Sequence, residues 1–266
     1  MPGQLDVCGG TAMILDKFRL DGRVALVTGA AQGLGQGMAV ALAEAGADVV
    51  ALDVSATDET AKQITALGRR CLQLQVNLRS ASVKDLQATV ERIVAEMGRL
   101  DILVNNAGII RRAPALEHSE ADWDDVLQIN LKAVFFLSQA AGRVMAKQGG
   151  GKIINMASML SFQGGIIVPG YTAAKSAVAG ITRGLSNEWA KYKINVNAIA
   201  PGYMATANTA PIRADADRSA TILDRIPAGR WGTPDYLKGI VVFLASPASD
   251  YMSGSIVCVD GGWLGR

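Results

Sequence analysis

Histidine and cysteine are the scarce residues of this 266-residue chain, at one and three copies. Cys8, Cys71 and Cys258 are odd in number, widely separated and without a CxxC spacing. They make no disulfide framework, and reduced thiols in a cytoplasmic protein are the plainer reading. His118, just before a predicted helix, adds too little to such cysteines for a zinc site. A histidine-based triad is not on offer either, and no metal is expected.

An excess of either charge is missing as well. Twenty-six basic residues against 24 acidic ones leave a net charge of +2. That is too little to attract nucleic acid or an anionic membrane, so neither is an expected partner. No apolar run is long enough to span a bilayer, and there is no repeat or low-complexity tract. The first dozen residues, MPGQLDVCGGTA, lack the ordered regions of a signal peptide. Met13 opens a segment that is itself a plausible start. Residues 1–19 therefore read as an N-terminal extension and 20–266 as the folded domain.

Half of the chain is apolar and 19% is charged, the balance of a globular protein with one sizeable core. Residues 23–27 (RVALV) read as a short strand, TGAAQGLGQG follows at once, and 38–45 read as a helix ended by Gly46. Strand, glycine loop and helix in that order suit a dinucleotide. Gly29 permits the tight turn, while Gly33 and Gly35 let a pyrophosphate approach the helix N-terminus. The spacing is TGxxxGxG rather than GxGxxG, so the general pattern alone is a weak match.

A second strand, 48–52, ends in Asp53. The residue is either a strand-end turn or an acceptor for the adenosine ribose hydroxyls, and its place after the glycine loop favours the second role. A carboxylate there repels a 2′-phosphate. No Lys or Arg in 29–37 or 53–61 counters it, so NAD is expected rather than NADP.

Further strands are expected at 71–76, 101–104, 152–156, 194–199 and 256–259, with helices at 83–97, from 119, at 171–189 and at 236–245. This alternation predicts an α/β fold, a single doubly wound Rossmann domain whose seven-stranded parallel sheet carries helices on both faces. The helix from Ser119 opens with a capping-box-like Ser119-x-x-Asp122 and carries an apolar stripe of Trp123, Val126, Ala133, Val134 and Leu137. Asn130 falls on that stripe. A buried amide costs ~1–3 kcal/mol unless its hydrogen bonds are met, so it needs a main-chain or water partner, or a place in a proton relay. The polar segment 203–229 suits a substrate lid of short helices.

Tyr171 and Lys175 lie one turn apart on the helix at 171–189, whose apolar residues Ala174, Val178, Ile181, Leu185 and Trp189 recur every three to four positions. A phenol brought from ~10 to ~7 needs about 4 kcal/mol. One charge ~4 Å away in an effective dielectric of ~20 supplies about that much. In isolation the same pair would be an ordinary exposed i,i+4 contact.

Context decides between them. TGAAQGLG, NNAG, Asn130, Ser158, YTAAK and Pro201-Gly202 stand in the order of the short-chain dehydrogenase/reductase family, which the chain resembles from about Met13 onward. The resemblance implies a catalytic tetrad of Asn130, Ser158, Tyr171 and Lys175, with Ser161 the weaker candidate for the serine. Cofactor contacts are implied at Gly29, Gln32, Gly33, Leu34, Asp53, Asn77, Leu78, Asn105, Ala107, Gly108, Tyr171, Lys175, Pro201, Gly202 and Thr206. Asn77 stands where the family usually has Asp facing the adenine amino group, and its amide oxygen can still accept that bond. The family also implies a homotetramer.

The strings NNAGIIRR, IINMASMLSFQGG, INVNAIAPGYMAT, ILDRIPAGRWG and VDGGWL are similar to the sugar-acid branch of that family. They imply interconversion of a secondary alcohol and a ketone on a hexonate-type substrate. The competing readings are a dehydrogenase acting at carbon 5 of gluconate, an NADP-dependent carbonyl or 3-oxoacyl reductase, and a non-catalytic dinucleotide sensor. A hexonate carboxylate needs a cation. Arg111 and Arg112 are candidates, or else a solvated charge pair. Ser158, Tyr171, Gln163, Tyr203 and Arg230 are candidates for the hydroxyl-bearing carbons.

Overall fold

The computed structural model describes residues 13–266. Cys8 and most of the 1–19 extension lie outside them; a single turn of helix occupies Ile14–Phe18. Among the described residues no helix is long and apolar enough to cross a membrane.

The chain runs β1 (Val24–Thr28), α1 (Gly33–Glu44), β2 (Asp48–Asp53), α2 (Asp58–Ala66), β3 (Cys71–Gln75), α3 (Val83–Met97), β4 (Ile102–Asn105), α4 (Glu120–Leu127) and α5 (Ala133–Gln148). It continues through β5 (Gly151–Met156), α6 (Pro169–Trp189), β6 (Ile194–Pro201), α7 (Ala210–Ala214), α8 (Ala216–Arg225), α9 (Asp235–Ala245) and β7 (Ile256–Val259). The seven strands form one parallel sheet in the order β3-β2-β1-β4-β5-β6-β7. Every residue of β1 and β4 is buried, as expected where helices cover both faces. One face packs on α1 and α9, the other on α3 and α5. The doubly wound fold is as the sequence implied.

Strand order reverses between β1 and β4, and a crevice opens beyond the strand C-termini at that point. Asp101 pins the opposite end. Its carboxylate accepts from the Val24 amide at 2.9 Å, Arg23 at 3.0 Å and Arg99 at 2.7 Å through each of two nitrogens. The buried carboxylate is thus satisfied by one main-chain amide and two half-exposed guanidinium groups, and it ties the starts of β1 and β4 together.

Helix boundaries follow their caps. Ser82 and Asp85 cap α3 reciprocally, and Gly98 ends it at φ +84°. At α4, Ser119 accepts from the Asp122 amide at 3.1 Å, but the return bond of a full capping box is absent among the described contacts. The helix expected to run unbroken from Ser119 is instead interrupted by a π turn over Gln128–Lys132. The cause is Asn130. Its Nδ2 donates to the Val126 carbonyl, the acceptor its own backbone N–H would use in an α-helix, and the Ala133 N–H reaches back five residues to Gln128. On the predicted stripe, Val126, Ala133, Val134 and Leu137 are buried, but Trp123 is 38% exposed.

Candidate active site

A cavity of about 820 Å³ lies over the C-terminal ends of β1, β4, β5 and β6, roofed by α7 and α8. Its first wall is the glycine loop. Gly29 and Gly33 have φ of +67° and +61°, a region costly for other residues. A Cβ on Gly35 would collide with the Gly29 carbonyl and the Asn106 amide. α1 starts within this loop, at Gly33, earlier than expected, and its N-cap Gln32 supplies no side-chain bond. The first-turn N–H groups are therefore left to an anion in the cavity.

Asp53 closes the far end of this wall. Its Oδ2 accepts from the Ala31 amide and Oδ1 from the Ser55 amide, both at 3.0 Å. The carboxylate is thus held against the glycine loop. Asn77 and Leu78 also line the cavity. The Asn77 Oδ1 already accepts from the Arg79 amide at 3.0 Å, so an adenine amino group would take its second lone pair.

The loop after β4 corrects one assignment. Asn105 does not line the cavity. It is 2% exposed on the strand, and its Nδ2 donates to Ser138 and Asn155, both at 2.9 Å. Its neighbour Asn106 faces the site, donating to the carbonyls of Thr28 at 2.9 Å and Gly29 at 3.1 Å. Thr28 Oγ1 accepts from the amides of both Asn106 and Ala107 at 3.0 Å. Ala107, Gly108, Pro201, Gly202 and Thr206 line the cavity, as do Gln32 and Leu34.

The tetrad residues converge on the same cavity. β5 delivers Ser158 just past its end, and α6 begins with Pro169 at its N-terminus, where the missing N–H costs nothing. Tyr171 and Lys175 project from its first turns. Lys175 is 4% exposed, its ammonium 5.5 Å from the Tyr171 ring centre and 2.6 Å from the Met156 carbonyl. Burial depresses its pKa to about 8. Burial also raises the Tyr171 phenol above its ordinary value, against the opposing pull of the Ser158 hydroxyl and the Arg112 charge. The expectation that Lys175 draws the phenol towards neutrality is thus corrected for this geometry. Desolvation outweighs the charges around it.

Ser161 has another task. It donates to the Lys175 carbonyl at 2.6 Å, tying the loop to α6, and does not line the cavity. Asn130 Nδ2 bonds the carbonyls of Ile109 and Val126 at 3.0 Å, while its Oδ1 is buried without a partner.

The basic candidates separate. Arg111 is off the cavity wall, paired with Asp122 at 3.2 Å and Asp125 at 3.3 Å. Arg112 lines the cavity and donates to the Asn208 carbonyl at 3.1 Å. Arg230 lies elsewhere, bonded to the Tyr236 hydroxyl at 2.9 Å. Gln163 and Tyr203 both line the cavity. Sequence reading missed Arg218, Arg225 and Trp263, which line it too. The only signal for α8 was the alternation of charges and alanines in the expected lid.

These parts fit a nicotinamide dinucleotide lying across the switch point. The open helix N-terminus suits its pyrophosphate, Asp53 its ribose, and the orphaned Asn130 oxygen leaves polar capacity on the wall of the same cavity as Lys175.

A family model described as enoyl-(acyl carrier protein) reductase matches residues 29–264. A 2-dehydro-3-deoxy-D-gluconate 5-dehydrogenase of Escherichia coli is 62% identical over 255 residues, covering 96% of this chain and 100% of the relative. One of Dickeya dadantii is 63% identical with the same coverage. A crystal structure of a proposed 2-deoxy-D-gluconate 3-dehydrogenase from Agrobacterium tumefaciens, with bound NADP, is 53% identical. It superimposes with a TM-score of 0.88 over 94% of this chain and 99% of that one.

Proposed function

The chain belongs to the short-chain dehydrogenase/reductase family, acting on CH–OH groups with NAD(P), and within it we propose a sugar-acid dehydrogenase. It interconverts a secondary alcohol and a ketone on a substrate of the 2-dehydro-3-deoxy-D-gluconate or 2-deoxy-D-gluconate type, with NAD preferred. We read it as a cytoplasmic homotetramer, as the family resemblance implies.

One observation carries the substrate class. The cavity that holds Ser158, Tyr171 and Lys175 is also lined by Arg112, Arg218 and Arg225, and among the described residues Asp53 is the only acidic residue on its wall. β2, which bears Asp53, is three strands from β5, roughly 14 Å at the spacing of a sheet. The substrate end is therefore cationic. A sugar acid suits that wall, and an acyl thioester or neutral ketone gains nothing from it.

When bound, the nicotinamide supplies or accepts the hydride. The Ser158 hydroxyl and the Tyr171 phenol hold the substrate oxygen between them. In reduction Tyr171 gives its proton to that oxygen, a role that a raised phenol suits because it stays protonated. Oxidation starts from the Tyr171 phenolate, which the Lys175 ammonium favours; the phenolate takes the substrate hydroxyl proton and returns to the phenol as hydride leaves the carbon. The free Asn130 oxygen accepts from a water that links Lys175 to solvent.

NAD preference rests on Asp53 beside the glycine loop. A similar protein binds NADP, so both dinucleotides enter the test. The purified enzyme is assayed with NAD and NADP against gluconate, 2-deoxygluconate and neutral sugar alcohols, and in reverse with keto acids. A sugar acid with NAD is expected to give the highest kcat/KM. Turnover confined to neutral or acyl ketones would overturn the substrate class, and a higher kcat/KM with NADP would overturn the cofactor preference.

A further inference from the structure

Arg225 is absent from the sequence-derived site, yet it is the best-prepared cation in the cavity. α8 turns Arg218, Thr221, Ile222 and Arg225 towards the cavity, the i, i+3, i+4, i+7 face of a helix. Its acidic residues Asp217 and Asp224 are not on that wall. Ile222 and Ile226 anchor the helix by packing with Met159, next to Ser158, and with Trp263 from the end of the chain. The helix is thus docked onto the loop that carries the catalytic serine.

The guanidinium of Arg225 stacks on the Trp263 ring at 4.0 Å. One of its nitrogens lies 3.5 Å from Gln163 Oε1, and the Trp263 indole N–H donates to the same oxygen at 3.2 Å. Ring and amide set the plane of the fork, and the bonded atom is a neutral amide oxygen rather than a carboxylate. The charge is thus oriented but not neutralised. An arginine held flat in this way loses little freedom on gripping a planar bidentate anion. Arg112 also donates to a neutral oxygen, the Asn208 carbonyl, but is not among the cations stacked on an aromatic ring, and Arg111 is paired with two aspartates.

We infer that Arg225, positioned by Trp263 and Gln163, is the anchor for the substrate carboxylate and so selects acids over neutral polyols. This rests on the sugar-acid reading above. The anchor lies on the roof of the cavity, while the reacting oxygen lies at Ser158 and Tyr171, so the length of the substrate sets which carbon is presented to the phenol.

The test compares wild type with Arg225→Met, Arg225→Lys and Arg218→Met on the preferred sugar acid and on a neutral sugar alcohol of the same length. Arg225→Met is expected to raise KM for the acid by roughly tenfold or more while changing kcat much less, and to leave the neutral substrate unaffected. Arg225→Lys keeps the charge without the planar fork and should fall between. Arg218→Met removes the same charge from the same helix and should raise KM less. Equal losses on acid and neutral substrates would mean a structural role and overturn the inference. So would an unchanged KM, or a larger effect at Arg218. A wild type that ignores sugar acids altogether would remove the sugar-acid reading, and this inference with it, before any variant is made.

Discussion

Gly108 and Asn130 are shaped to each other: a Cβ on Gly108 would stand 2.5 Å from Asn130 Oδ1. That oxygen is the one atom of the Asn130 amide without a partner, and its Nδ2 is committed to two main-chain carbonyls. The loop after β4 and the π turn between α4 and α5 therefore meet without slack, at the place where a relay to Lys175 would run.

Gly108→Ala should push the amide off its carbonyls. Overpacking of this kind costs about 1–3 kcal/mol. Turnover should fall further than stability does, because the displaced group belongs to the proposed relay. Thermal unfolding and kcat on the same preparation check both, and an alanine variant with wild-type kcat would leave the relay without support.

Lys175 gives a pH signature. The unfolded chain keeps this proton up to 10.5 and the folded chain only up to about 8. Below the lower value both states are protonated, and the cost of burying the ammonium, roughly 3 kcal/mol, stands in full. Between the two values only the unfolded state binds the proton, so wild-type stability from this group rises with pH. Lys175→Met lacks that slope. The melting temperature of the variant relative to wild type should therefore be highest near neutrality and decline through the window from about 8 to 10.5. A constant difference across that range would contradict the burial of a charged Lys175.

Asp53 should govern the dinucleotide. On the proposed NAD binding, Asp53→Ser would remove a charge facing the 2′ position together with acceptors for two ribose hydroxyls. The ratio of kcat/KM with NAD to that with NADP is expected to fall by roughly tenfold or more, mostly through KM. An unchanged ratio would place cofactor choice elsewhere.

The sequence made the sheet legible because parallel strands buried on both faces read as apolar runs, as in VALVT and DVVALD. α6 was equally plain from its spacing, and Tyr171 and Lys175 followed from it. Other parts depended on contacts distant in sequence. The π turn at Asn130 shifts the helix by a single residue, and the same amide also bonds the Ile109 carbonyl, 21 positions away. Asn105 and Asn106 are adjacent and identical in type, but Asn105 ends β4 and Asn106 opens the loop after it, so the point at which the strand stops decides which meets the cavity. Arg111 and Arg112 divide in the same manner, by the placement of Asp122 and Asp125 on α4. Arg225 had no local signal at all, since Gln163 and Trp263 reach it from 62 and 38 residues away. The raised Tyr171 phenol was hidden for a different reason. Helical spacing gives proximity of ammonium and phenol but carries no information on desolvation.

The central claim, that the Tyr171 hydroxyl moves the proton in a sugar-acid dehydrogenase, is tested most directly by Tyr171→Phe. The measurement pairs kcat on the preferred sugar acid with the dissociation constant of the dinucleotide. The ring and its packing on α6 remain, so dinucleotide binding should stay close to wild type, while kcat falls by roughly a hundred- to ten-thousandfold. A phenylalanine variant with wild-type turnover would contradict the account.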